Sequence, residues 1–433
     1  MGDERFDVLV VGAGPAGSIA ALTLTRGGAR VALVDKAEFP RDKACGDLIG
    51  PRGVQLLHDL GLPLADPLRV GDMMVVGPTG GRVRLQCFPG LTYPSYAYAV
   101  PRAEFDAGLR DAAVGAGAVP FAGQVLNPVD DDGRLRGCEL SDGTRICADV
   151  VIGADGATSR VAEMAGLVDR TRVMWGFALR SYLDEAVDMP YIVLWETSHW
   201  HGLPGYGWLF PGPDGRANVG LGVGALADRA AAAQAVRLLP AFLDHLRSTG
   251  LIDGAEPSRA LGGWLKMGMV GTAPAAGRVL LVGDAAGLVN PLQGEGIAQA
   301  LGSGHAAATA VLAGPDQAAT RYRGVLAGEH AEYHRIAAAT QAALLPHPAA
   351  ISAVGRLLTL PLLGDALAGG WSIFWNELLD GAGPSRARTT ARAATLVGRA
   401  ITAPTTTRRW FDQTFGVQRP RRAPSALGSA TRR

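Results

Sequence analysis

The sequence predicts an α/β fold: a Rossmann-type nucleotide domain, an antiparallel-sheet substrate domain and a helical C-terminal region. Three observations predict it. A short apolar run leads directly into Gly12-Ala13-Gly14-Pro15-Ala16-Gly17. A second glycine-rich segment lies far downstream, Gly283-Asp284-Ala285-Ala286-Gly287, and continues through Asn290-Pro291-Leu292-Gln293-Gly294-Glu295-Gly296-Ile297. Between them runs a stretch rich in aromatics, glycine and alternating apolar residues. One glycine fingerprint is a weak signal. Two distant glycine turns meeting on one extended dinucleotide are what FAD requires, so a flavoprotein is expected.

The elements follow in order. Val8 to Val11 suits a buried parallel strand. Gly12 allows the tight turn after it, Gly14 lets backbone approach a pyrophosphate, and Gly17 lets the next helix pack close. That helix offers its N-terminal N–H groups to phosphate. Ala29 to Val34 reads as the second strand. It ends at Asp35, about 20 residues after the glycines, the distance for holding a ribose hydroxyl, with Lys36 beside it in the same site. Residues 1–75 hold this unit and a loop–helix segment. Residues 76–101 and 171–268 read as strands of a second, antiparallel layer. Residues 102–170 and 269–335 return to the nucleotide domain, which is therefore discontinuous. Residues 336–433 are rich in Ala and Arg and read as helical, with a disordered basic tail from Arg419 to Arg433.

Bulk properties exclude several classes. The 433 residues are 48% hydrophobic and 19% charged, which is globular, and a net charge of +1 argues against a nucleic-acid partner. Four cysteines, Cys45, Cys87, Cys138 and Cys147, lack framework spacing and point to a reducing compartment. The chain enters a strand almost at once, leaving no room for a signal peptide, so a cytoplasmic protein is expected. A span needs roughly 20 mainly apolar residues. Ile336 to Gly355 is broken by Pro346 and Pro348. Leu357 to Trp375 is broken by Pro361, Asp365 and Gly369-Gly370. Both read as helices that cover a core or pocket.

Further motifs narrow the class. Pro40-Arg41-Asp42-Lys43-Ala44-Cys45-Gly46-Asp47 resembles the Cys-Gly-Asp/Glu loop of the geranylgeranyl reductase family. Gly205-Tyr206-Gly207-Trp208-Leu209-Phe210-Pro211 resembles its Tyr-x-Trp-x-Phe-Pro motif, and Gly153-Ala154-Asp155-Gly156-Ala157-Thr158-Ser159 its middle flavin motif. The likeness spans about residues 5–330 and is to actinobacterial members that reduce the isoprenoid tail of menaquinone. It implies the para-hydroxybenzoate hydroxylase fold, with Asp155, Asp284 and Arg102 among the FAD contacts and Gly283, Pro291, Gly294, Gly296 and Ile297 beside them. Three positions depart from the family: Leu48 stands for glycine, Gly50 for threonine and Lys266 for proline. All should line the flavin edge. Tryptophan halogenases share the fold but need a lysine nucleophile, and no lysine lies between Lys43 and Lys266.

The resemblance implies reduction of polyprenyl double bonds. The alternatives are a flavin-dependent dehydrogenase or monooxygenase acting on a bulky polyketide or terpenoid, and a flavin-bound lipid carrier without turnover. Reduced FAD is a hydride donor, and an alkene also needs a proton. Cys45 is a candidate catalytic group; the alternative is a small buried hydrophobe. Tyr206, Trp208 and Phe210 alternate and share one strand face, as pocket wall or as sheet core. Tyr206 and Trp208 join Cys45 as catalytic candidates; Phe210, Lys266 and Glu295 are placed at the substrate pocket. Glu295 either tunes the ring or caps a helix. His330 and His334 lie four apart without a visible third ligand, so no metal is expected. His199 and His201 flank Trp200 in a loop bordering the pocket. The electron donor is NADPH or another reductant such as a ferredoxin. Reversible membrane-surface contact is expected through Leu357, Leu360, Leu362, Trp371, Phe374 and Trp375. Arg408, Arg409, Arg421, Arg422, Arg432 and Arg433 assist it at anionic lipid.

Overall fold

The computed structural model describes residues 4–88, 92–131, 134–196, 205–224, 232–344 and 347–402. The chain opens with β1 (Glu4–Val11), α1 (Pro15–Arg26) and β2 (Val31–Asp35), then β3 (Leu48–Ile49), α2 (Pro51–Asp59) and β4 (Leu68–Val70). Next come β5 (Met73–Val76), β6 (Arg82–Leu85), β7 (Ala97–Ala99) and α3 (Arg102–Gly115). They are followed by β8 (Val119–Ala122), β9 (Val125–Asp131), β10 (Arg134–Leu140), β11 (Arg145–Gly153) and α4 (Arg160–Met164). The middle of the chain supplies β12 (Met174–Leu183), β13 (Tyr191–Val193), β14 (Gly205–Pro211), β15 (Ala217–Val223), α5 (Ala232–Ser248) and β16 (Leu261–Met267). It closes with β17 (Ala275–Ala276), β18 (Val279–Leu281), α6 (Ile297–Leu312), α7 (Ala318–Glu329), α8 (Ala331–Leu344), α9 (Pro348–Leu358), α10 (Leu363–Trp375) and α11 (Ser385–Thr402).

The nucleotide sheet runs β17-β18-β11-β1-β2-β8, with β10 and β9 added beside β11. β1 pairs in parallel with both β2 and β11, and β11 with β18. Val8, Leu9 and Val10 of β1 and Val31 to Val34 of β2 are all buried. A parallel strand covered on both faces needs such an unbroken apolar run. Strands from three separated stretches of chain therefore build one sheet, which sets the first glycine turn beside the second.

The second sheet runs β16-β12-β15-β14-β13-β5-β6. It is antiparallel except where β5 pairs in parallel with β13. Period-two alternation divides its faces. Leu209, Val219 and Leu221 pack with Leu238, Phe242 and Leu246 of α5 on one side. Trp208 and Phe210 pack with Val75, Ile192 and, from α10, Ala368 and Trp371 on the other. Two details differ from the strand pattern expected. β7 joins β3 and β4 in a separate three-stranded sheet, and α5 interrupts the strand-rich middle stretch. The helix has its own 3.6-residue apolar face, which the surrounding alternation masks.

The C-terminal helices are bolted to the nucleotide domain by polar contacts. Asn290 Nδ2 donates to Tyr333 Oη at 3.1 Å, and Arg52 pairs with Asp380 at 2.5 Å. Glu377 follows α10 and is buried. It accepts His330 Nδ1 at 2.8 Å and Gln299 Nε2 at 2.9 Å. Burial alone would raise its carboxyl, but the adjacent His330 and His334 hold it far below the usual range. No described helix is long and apolar enough to cross a membrane; α9 and α10 meet that composition only as a pair bent by 102°.

Candidate active site

One cavity of about 370 Å³ lies between the two sheets and beneath the C-terminal helices. Its walls join the Cys45 loop, Arg102, the Asp284 turn and the whole Pro291–Ile297 run to Tyr206, Trp208 and Phe210 of β14. Leu344, Ile351 and Trp375 close it from the C-terminal side.

The glycine fingerprint fits a dinucleotide by its crowding. Gly12 has φ +103°, and a Cβ there would lie 2.3 Å from the Ala154 carbonyl oxygen. A Cβ on Gly17 would lie 1.8 Å from the Gly12 carbonyl oxygen. At Gly14 a Cβ would meet only Arg41 Nη2, at 3.5 Å, which leaves the space a pyrophosphate needs. The N-terminus of α1 has no side-chain cap, so its N–H groups remain available to an anion. Asp35 ends β2, and its Oδ2 accepts the Ala13 amide at 2.7 Å, tying strand to turn. Lys36 is exposed next to it. Asp284 lies on the cavity wall and takes Lys43 Nζ at 3.3 Å. Lys43 lines the same cavity and is not among the individual residues expected at the site.

Cys45 is held at the cavity edge. Its Sγ accepts the Asp47 amide at 3.4 Å and faces the Arg102 guanidinium. Arg102 is buried and bidentate to Asp106 at 2.7 Å for both contacts. Burial pushes the Cys45 thiol up, more than Arg102 pulls it down, so it stays protonated. Asp47 turns away from the cavity. Its Oδ2 accepts Tyr182 Oη at 2.6 Å and Asn218 Nδ2 at 2.8 Å. Burial raises its carboxyl to about 6 against these bonds. Asn218 also donates to the Cys45 carbonyl and accepts the Trp208 indole N–H at 2.8 Å. One amide thus locks the cysteine loop to the aromatic strand.

Tyr206, Trp208 and Phe210 all face the cavity. The rings of Trp208 and Phe210 stack at 6.3 Å. Tyr206 donates to the Gln293 carbonyl, and burial raises its phenol well above the usual range. Both polar handles among the aromatics are therefore committed to holding neighbours. Glu295 also faces the cavity. Its Oε2 accepts Gln293 Nε2 at 3.0 Å, and Oε1 has no hydrogen-bond partner among the described residues.

Two expected placements change. Leu265 and Met267 line the cavity, but Lys266 between them points to the opposite face of β16 and is 1% exposed. It therefore does not form the substrate pocket. Burial lowers its ammonium to about 8, while Asp155 and Asp284 oppose that shift. Asp155 does not reach the cavity wall. Its Oδ1 accepts the Ser159 hydroxyl and its Oδ2 the amides of Arg160 and Val161, so it caps α4. His330 and His334 gain a third polar partner from far along the chain. With Glu377 they form a buried group whose potential ligand atoms lie within 4.8 Å of one another. Trp371 is 9% exposed and packs under the aromatic wall instead of on the surface. His199, Trp200 and His201, and the basic residues from Arg408 onward, lie outside the described residues.

Residues 5–339 match the family described as FAD binding domain. Menaquinone reductase of Mycobacterium tuberculosis is 40% identical over 319 residues, covering 71% of this chain and 76% of that protein. Digeranylgeranylglycerophospholipid reductase 2 of Methanopyrus kandleri is 34% identical over 318 residues, covering 70% and 76%. A solved structure of a geranylgeranyl bacteriochlorophyll reductase-like protein from Thermoplasma acidophilum shares the fold. It superposes with a TM-score of 0.71 at 22% identity, covering 95% of this chain and all of that one.

Proposed function

We infer the function from one premise: the chain belongs to the FAD binding domain family, among the geranylgeranyl reductases, and is an FAD-dependent oxidoreductase. The reading that fits its site best is reduction of carbon–carbon double bonds in a polyprenyl group, such as a geranylgeranyl chain or a menaquinone tail. The observation that carries it is a single cavity with the second FAD turn on one side and an apolar wall of Tyr206, Trp208 and Phe210 on the other. A prenyl chain buried there gains roughly 0.8 kcal/mol per CH₂, so it can bind without many polar contacts.

The residues divide the work. Gly12, Gly14 and Gly17, with the N-terminus of α1, would hold the pyrophosphate. Asp35 and Lys36 would serve the adenosine ribose, Asp284 the ribityl chain, and Arg102 with Pro291, Gly294, Gly296 and Ile297 the ring. When bound, FAD supplies a hydride donor. Tyr206 fixes the Gln293 carbonyl and so the turn before α6; Trp208 is held at the cavity wall by its N–H bond to Asn218. Cys45 presents a protonated thiol beside Arg102. The electrons come from NADPH or another reductant. Because such substrates are water-insoluble, reversible membrane contact belongs to the same reading. The anchor is the elbow between α9 and α10, where Leu357, Leu360 and Leu362 are exposed.

Mass spectrometry of product tests this. Enzyme reduced with dithionite and given menaquinone should yield tails heavier by two hydrogens for each double bond saturated. Gain of oxygen in air, with no saturated product, would overturn it in favour of a monooxygenase.

A further inference from the structure

We propose that Glu295 is the group that delivers a proton to the reacting double bond, an assignment that rests on the reductase reading above. Glu295 sits on the cavity wall between the Gln293 turn and α6. Gln293 Nε2 pins Oε2 at 3.0 Å, and Oε1, enclosed beside Gly50, has no hydrogen-bond partner among the described residues. Gly50 makes the space for it. A Cβ on Gly50 would lie 2.8 Å from Oε1. The φ of Gly50 is −64°, open to any residue, so what glycine supplies there is room for the neighbouring carboxyl.

The other titratable groups on the wall suit the task less well. Burial raises the Cys45 thiol and the Tyr206 phenol, making both weaker acids. Arg102 is bound by Asp106, and Asp284 is paired with Lys43. A general acid works best when it titrates near the working pH. Burial, and then the charge of Glu377, push Glu295 up to about 7, while Arg52 opposes them. Tyr206 faces it from β14 and stays neutral. Glu377, held ionised by His330 and His334, helps keep the second carboxyl protonated. Two carboxyls with opposed environments are the pattern of an assigned acid.

The step balances. Saturation places a hydride on one alkene carbon and a proton on the other. Both reducing electrons arrive with the hydride, from reduced flavin. The Glu295 O–H bond breaks with its electron pair left on oxygen, and the π pair of the alkene forms the new C–H bond. The carboxylate regains a proton from solvent between turnovers.

The experiment combines two readouts on the holoprotein. Infrared difference spectra of wild type against E295Q should contain a protonated-carboxyl band that titrates near pH 7, with no substrate present. In single-turnover assays of pre-reduced enzyme, E295Q should form saturated product about 10²–10⁴-fold more slowly, with unchanged FAD content and unchanged reoxidation by ferricyanide. E295D should recover part of the rate. G50A keeps the carboxyl but crowds it, and should slow the same step. Saturated product from E295Q at the wild-type rate, or no titrating band, overturns the assignment alone. Absence of saturated product from wild type overturns the reductase reading and the assignment with it.

Discussion

The flavin-side turns and the C-terminal helices line one cavity, yet they are specified in different ways. On the flavin side the backbone itself is constrained. Gly12 and Gly17 stand where a single added carbon would strike a carbonyl oxygen. A phosphate held by N–H groups at one helix end would fix both spacing and residue type. On the C-terminal side Leu344, Ile351 and Trp375 contribute area and shape. Many apolar residues of similar volume serve that purpose. The family match ends at residue 339, just before this second wall begins. A cofactor shared across relatives demands one geometry, whereas a substrate wall can vary between them.

The contrast breaks most severely where the two regions are joined. Glu377→Gln should cost about 3–5 kcal/mol, because it leaves His330 and His334 buried beside a lost charge. Denaturant unfolding of holoprotein measures it. The pH dependence has a defined sign. Glu377 is depressed when folded, so its contribution is complete above the ordinary carboxylate value and fades as pH falls through the folded value. Wild type should lose its advantage over E377Q on acidification. An advantage unchanged down to the acid transition would contradict the clamp.

On the flavin side alone, Asp284→Ala should weaken FAD binding by about 1.5–3 kcal/mol, the value of a hydrogen bond to a charged group. Flavin titration of the apoprotein checks it. The C-terminal helices should stay docked, since Asn290, Glu377 and Asp380 hold them through other contacts. Full flavin retention would remove Asp284 from the site.

How much could be read beforehand follows the same division. The two glycine turns, the parallel strand and the aromatic alternation of β14 announce themselves through spacing. Lys266 misled because a one-residue step along a strand reverses the face, and sequence does not fix which face is inward. Asp155 lies in a motif whose likeness concerns flavin, but its oxygens cap α4. The Glu377 partner of His330 and His334 was hidden because 43 residues separate it from His334 in the chain, and only the packing of α10 brings it near. Asn218, which joins Cys45 to Trp208, has no motif of its own; its role arises from the register of β14 against β15.

A sharper comparison comes from substrate length. Trp208→Ala should leave FAD affinity unchanged and weaken binding of long prenyl substrates more than short ones. Each CH₂ that loses contact costs roughly 0.8 kcal/mol, so the penalty grows with the chain the ring covers. Binding measured across a chain-length series tests it, and an equal loss at every length would mean that the aromatic strand is core and not wall.

The smallest expected effect lies farthest from the flavin. Leu362 is 84% exposed at φ +68°, at the bend between α9 and α10, with Leu357 and Leu360 beside it at 48% and 47%. An apolar side chain held outward in a backbone region that non-glycine residues avoid has little reason to persist in water. Among the described residues, the ionic groups exposed on this elbow are Arg356, paired with Glu196, and Asp365. The same two helices line the cavity on their inner side through Ile351 and Trp375, so a bilayer touching the elbow would lie next to the substrate wall. Leu362→Asp should therefore reduce co-sedimentation with lipid vesicles by about 1–2 kcal/mol, the gain from burying part of one leucine, roughly a 5- to 30-fold change in partition. Turnover of a detergent-solubilised substrate should not change. Vesicle binding that is equal in both proteins and fades with salt would assign attachment to charge and not to the elbow. The C-terminal helices would then serve the cavity alone.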